Sequence, residues 1–205
     1  MGHVPDSVWA NTELETLVLA GNDLTSLSPK AGLMTGLRML DLGHNLLTEV
    51  PAELGEIEGL SDFLYLHDNR LSSLPSSLAR LTKLRYLNIS ENRFEELPNC
   101  VCEMGGLIEL RASDNQLQAL PESTGGLSRL RELHLRNNRL ITLPEALCGL
   151  RELRQLDLRG NPLVELPECL TFLPRLDKLD LRWVTTLTSW AIPEQLEASG
   201  CTVYR

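Results

Sequence analysis

The chain has 205 residues, of which 42% are hydrophobic but only 4% aromatic, and it carries a formal net charge of −9. That length can bury the core of one ordinary domain, while the acidic balance argues against wholesale binding to nucleic acid or to an acidic membrane surface, both of which need a basic footprint. No stretch approaches the roughly 18 apolar residues of a membrane span, and residues 1–6 hold neither a secretory hydrophobic core nor a myristoylation signal.

The chain opens in mid-pattern. Val4, Pro5 and Val8 have the spacing that later marks the second half of a repeat, and the first full unit starts at Leu14. Residues 1–13 therefore read as a partial repeat, either a minimal cap or the stump of a longer array. Full units begin at Leu14, Leu37, Ser61, Leu84, Leu107, Leu130, Leu153 and Leu176, every step being 23 residues except the one to the third unit, where Asn45 to Asn69 spans 24. The extra residue is expected as a bulge near Leu60 and Ser61. An insertion inside the following strand, Leu64-Tyr65-Leu66, would invert which side chains face inward. In the first unit Pro29 arrives one place late and Gly32 and Gly36 follow it, which predicts a less regular return.

Residues 130–152, LRELHLRNNRLITLPEALCGLRE, display the unit: apolar residues at positions 1, 4, 6, 11, 14, 18 and 21, Asn138 at 9 and Pro144 at 15. Leu133-His134-Leu135 alternates as a strand with one buried face, whereas Leu143, Leu147 and Leu150 are spaced for one side of a helical turn. One such coil cannot bury its leucines, so coils must stack. Asn22, Asn45, Asn69, Asn92, Asn115, Asn138 and Asn161 form a ladder of amides able to satisfy backbone groups where each strand turns away. Pro51, Pro75, Pro98, Pro121, Pro144 and Pro167 are expected to be the first residues of the helical returns.

The pattern L-x-x-L-x-L-x-x-N-x-L-x-x-L-P-x-x-L-x-x-L covers roughly nine tenths of the chain and resembles the leucine-rich repeat in its 23-residue Leu-Pro variety. The resemblance implies an α/β repeat solenoid: a horseshoe with a parallel β-sheet on the concave face and short helical or 3-10 returns on the convex face. It also implies likeness to intracellular signalling scaffolds, to plant Ras-group-related proteins and to bacterial proteins that include secreted effectors.

The repeat domain is expected over residues 14–183, with about eight strands, the last degenerate. Its final unit keeps Leu176, Leu179 and Leu181 but has Val184 in place of Asn and Ser189-Trp190-Ala191 in place of the Leu-Pro step. Residues 184–205 read as a cap: a short helix over 193–199, a strand-like 201–204, and Trp190 with Trp183 covering the open core.

Five cysteines, Cys100, Cys102, Cys148, Cys169 and Cys201, make an odd number without the terminal clusters usual in extracellular members of the family. Five reduced thiols in a cytoplasmic protein are expected, or export into a host cell if the chain is an effector. Cys100-x-Cys102 lacks a second pair at zinc-site spacing, so no metal is expected there.

In a repeat of this kind positions 3, 5, 7 and 8 are exposed on the concave sheet, where function is to be sought. Met39, Phe63, Tyr65 and Tyr86, with His67 beside them, gather in one half and read as a protein contact. Arg111, His134, Arg136, Arg159 and Arg182 occupy the other half. Arg136, Arg159 and Arg182 fall in successive coils, either as a basic binding strip or as a solvated column paired with Asp157 and Asp180. Ser113, His134 and Asp157 have the residue types of a nucleophile triad, but the register sets Ser113 about 8 Å from His134 and no oxyanion hole is in view. His44, His67 and Asp68 have aromatic neighbours rather than further ligands, so no metal is expected. The sequence thus points to a non-enzymatic scaffold without cofactor that binds another protein, neither nucleic acid nor membrane, as a monomer with weak pairing through its N-terminal end. The alternative is a sensing segment of a larger kinase or GTPase.

Overall fold

The computed structural model describes residues 2–205, so that only residue 1 of the expected 1–13 segment lies outside it. Its strands are β1 (Thr16–Val18), β2 (Met39–Asp41), β3 (Phe63–Tyr65), β4 (Tyr86–Asn88), β5 (Glu109–Arg111), β6 (Glu132–His134), β7 (Gln155–Asp157), β8 (Lys178–Asp180) and β9 (Thr202–Tyr204). They form one parallel sheet in sequence order, the expected solenoid. The central leucine of each strand pairs with its counterpart in the next, Leu110 with Leu133 and Leu133 with Leu156. From β2 to β8 these leucines are buried, as are those at positions 1, 6 and 11, in one continuous core where Phe94 takes the place of a leucine, while Leu14, Leu17 and Leu19 of the first coil are partly buried against it. Burying each such side chain contributes roughly 1.5–3 kcal/mol, and the file of them makes stacking favourable where a single coil is not.

The asparagine ladder ties coil to coil. Asn45 Nδ2 donates to the carbonyls of Leu42 (2.9 Å) and Gly43 (3.0 Å) in its own coil and to Leu19 (3.0 Å) in the preceding one. Its Oδ1 accepts from the Asn22 and Leu24 amides at 3.1 and 3.0 Å. The residue before each ladder position adopts left-handed backbone in every unit: Gly21, His44, Asp68, Glu91, Asp114, Asn137, Gly160 and Trp183. That turn aims the amide inward, and it costs most side chains more than it costs Gly, which has no Cβ, or Asn and Asp, whose short polar side chains tolerate it.

The extra residue of the third unit sits between Leu60 and Phe63, just ahead of β3 as expected. There the amides of Arg85 and Tyr86 donate to two successive carbonyls, Ser61 and Asp62, whereas in the next coil Ile108 and Glu109 share the one carbonyl of Arg85. Most returns are 3-10 turns, such as Ala52–Glu56 and Glu145–Gly149, with one short helix, α1 (Asn99–Cys102). Two expectations are corrected here. The prolines precede the turns in extended conformation, as with Pro51 at φ −68° and ψ 149°, instead of being their first residues. The first return, Pro29–Leu33, keeps the five-residue length of the later 3-10 returns and departs from them only at its start, where Pro29 is its first residue and Ser28 accepts a hydrogen bond from the Lys30 amide at 3.3 Å.

At the C-terminal end, α2 (Ala191–Ala198) starts two residues earlier than expected and leads into β9, which adds a ninth strand to the sheet through Thr202 N–H to Asp177 O at 2.8 Å. Leu196 and Val184 are buried, and Trp190 packs against the core. Trp183 does not cover it. With left-handed backbone at the strand end, its indole is turned out and 67% exposed, under the Arg182 guanidinium.

The five-thiol expectation fails. Cys148 and Cys169 form a disulfide across adjacent returns, leaving Cys100, Cys102 and Cys201 free and buried. Position 19 of each return lies hard against position 17 of the next: a Cβ on Gly125 would stand 2.4 Å from the Ala146 carbonyl oxygen. Cys148 and Cys169 occupy those two positions. The pairing removes the argument from cysteine number for a reducing compartment. Among the described residues, no helix is long and apolar enough to cross a membrane.

Candidate functional site on the concave sheet

Strand alternation turns positions 3, 5 and 7 away from the core, and the parallel register stacks like positions in columns. Phe63, Tyr65 and Tyr86 meet on β3 and β4 with ring centroids 5.1–5.9 Å apart, and Phe63 remains 41% exposed. Burial pushes the Tyr86 phenol up to about 12 and raises that of Tyr65, so both stay neutral donors at physiological pH. Met39 stands in register with Phe63 on β2, and the Arg111 guanidinium lies 5.9 Å from the centre of the Tyr86 ring. The array continues into His67, whose ring is 6.0 Å from Tyr65 and 4.6 Å from His44.

Each arginine singled out from the sequence has a carboxylate partner. Arg111 Nε donates to Glu109 (2.6 Å), and Arg136 Nη2 to Asp114 (3.0 Å). Arg159 and Arg182 each form two-pronged pairs with Asp157 and Asp180, and Arg159 Nε also lies 3.5 Å from Asp180. Burial alone would raise the Asp157 carboxyl, but the hydrogen bonds from the Arg159 side chain and backbone outweigh it and hold the group well below the usual carboxylate range. The column is an alternating ladder of charge, not a bare positive strip.

Sequence reasoning missed why Asp157 and Asp180 are there. The carboxylates of Asp41, Asp157 and Asp180 and the amide oxygen of Asn88 each accept the backbone N–H two residues on, closing the turn at the strand end. The recurrence of Asp or Asn at position 5 was the available signal.

No nucleophile triad is assembled. His134 points Nε2 at Glu132 (3.2 Å) and Glu109 (3.9 Å), while Asp157 is 4.0 Å from its Nδ1. Glu109, Glu132 and His134 bring possible ligand atoms within 4.8 Å of one another, but Glu109 is held by Arg111. The group Glu145, Cys148 and Cys169 has its sulfurs in the disulfide.

The leucine-rich repeat family profile matches residues 12–63, 62–117 and 107–163. The chain is similar to podocan of Mus musculus, 41% identical over 71 residues, which is 32% of this chain and 11% of podocan. Among solved structures it is similar to the plant peptide hormone receptor RGFR1 in complex with RGF2, at 30% identity and a TM-score of 0.78 over 89% of this chain and 30% of the receptor chain. It also superposes on the leucine-rich repeat domain of the type III effector XopL with a TM-score of 0.83 at 24% identity, covering 100% of this chain and 72% of that one, a likeness of fold. The chain thus spans only a small part of podocan and of the receptor.

Proposed function

We propose that this chain, which belongs to the leucine-rich repeat family, is a protein-interaction module that grips a protein or peptide partner on its concave sheet. The observation carrying this reading is the cluster of an exposed Phe63 with the half-buried Tyr65 and Tyr86 on β3 and β4. Aromatic side chains grouped on an open sheet supply large contact area at low entropic cost, and such anchors dominate binding energy at protein interfaces. The receptor that resembles this chain was solved with a peptide hormone, which supports a peptide or protein ligand and a place in signalling.

Because the arginines are paired, the partner meets a mixed field and selects by matching alternating charges, while the aromatic cluster supplies affinity. The test is capture of partners by the intact protein beside a Tyr65→Ala/Tyr86→Ala variant and a convex-side Glu168→Lys variant, each confirmed folded. Loss of partners with the tyrosine pair alone supports the reading. Loss with Glu168→Lys alone puts the interface on the convex side and overturns it.

A further inference from the structure

His44 and His67 stand on adjacent coils with their Nε2 atoms 3.2 Å apart. Two imidazole nitrogens bound to one tetrahedral ion at about 2.0–2.1 Å are separated by about 3.3 Å, so the pair already has the spacing of two ligands on a single metal. The His44 ring is fixed from behind: its Nδ1 is 2.7 Å from Asp68 Oδ2, which places the proton on Nδ1 and the lone pair on Nε2. A carboxylate on the far nitrogen is how metal-binding histidines are oriented. The His67 ring is held by Gly43, where a Cβ would lie 2.3 Å from His67 Cε1. Burial, followed by His44, lowers the His67 pKa, and the carboxylates of Asp41, Glu91 and Asp68 act on the same ring, a negative surround suited to a dication.

Against the expectation from sequence that this group holds no metal, we infer that His44 and His67 form a two-histidine clamp for one imidazole-preferring dication, of the Zn2+, Ni2+ or Cu2+ class, with its remaining coordination positions open toward the concave side. In the metal-free protein His67 Nε2–H donates to His44 Nε2. Metal binding breaks that bond and moves the His67 proton to Nδ1, with no net proton released. Nδ1 is buried and has no hydrogen-bond partner, so carrying the proton there forfeits no existing bond.

The clamp is independent of any protein partner and is tested on the full chain alone, disulfide intact, by calorimetric titration with NiCl2 and by the electron paramagnetic resonance spectrum of added Cu2+. One ion per chain and a spectrum with two nitrogen ligands are expected. His44→Ala and His67→Ala should each weaken binding at least tenfold, while His134→Gln leaves it unchanged. Gly43→Ala keeps both ligands but pushes the His67 ring aside, and it too should weaken binding tenfold or more. Retention of the wild-type affinity and stoichiometry in folded His44→Ala and His67→Ala, or no binding by the wild-type chain at millimolar metal, overturns the proposal.

Discussion

Cys148 and Cys169 stand 5.7 Å apart at Cα, 21 residues apart in sequence, and their disulfide staples the sixth return to the seventh on the convex side. Because the link closes a short loop, the chain-entropy argument gives it about 3 kcal/mol of stability. A denatured, unreduced chain should titrate three thiols, and reductant should lower the free energy of unfolding by up to that amount. In the native state the free thiols should react slowly, since burial pushes Cys100 and Cys201 up to about 11. Five thiols in denaturant without reductant would rule the pairing out.

Asn115 is the fifth of the seven rungs of the ladder. Its Nδ2 donates to Ile89, Ala112 and Ser113, and its Oδ1 accepts from the Phe94 amide at 3.1 Å. Asn115→Leu should cost on the order of 1–3 kcal/mol by leaving buried backbone groups unpaired. Leu133→Ala, which empties a fully buried site, should cost about 2–5 kcal/mol. Urea unfolding of both variants measures this, and negligible losses would contradict the stacked core.

Glu91 pays for the left-handed turn before Asn92, at φ 55°. Asp and Asn, which fill this place in neighbouring coils, tolerate that region better than Glu. Glu91→Asn should therefore stabilise the protein by roughly 0.5–1 kcal/mol. A thermal shift in the other direction would show that Glu91 makes up the strain elsewhere.

Arg159 sets how the protein responds to acid. The Asp157 carboxyl is depressed in the folded state, so its stabilising contribution is fully present above the ordinary carboxylate pKa of about 3.9 and is lost as pH falls toward the folded value. Arg159→Met removes the principal hydrogen-bond donor. The variant should be less stable at pH 7, and its stability should fall less steeply between pH 5 and 2. Parallel curves for the two proteins would show that Asp157 does not carry the acid response.

On the concave sheet, Tyr65→Ala should weaken binding of a captured partner by at least about 2 kcal/mol with little dependence on salt. Neutralising Arg111 should act more on association rate, and most at low salt. Surface kinetics at two salt concentrations separates the effects, and a wild-type dissociation constant for Tyr65→Ala would remove the aromatic anchor.

The sequence by itself determined the solenoid. Leucines at positions 1, 4, 6 and 11 have one way to be buried together, the 23-residue period sets the register of Leu110 on Leu133, and the displaced Asn69 located the bulge. It also determined which side chains share the concave face, because strand alternation follows from spacing alone. Only the tertiary structure decided what those side chains do to one another. Whether Arg159 presents free charge or closes onto Asp157, whether Trp183 covers the core or turns outward, and whether Cys148 meets Cys169 all depend on backbone angles and coil-to-coil offsets of an ångström or two. A periodic pattern constrains direction and order along the stack, but hydrogen bonds and disulfides are decided by distances shorter than the 4.8 Å or so between neighbouring strands.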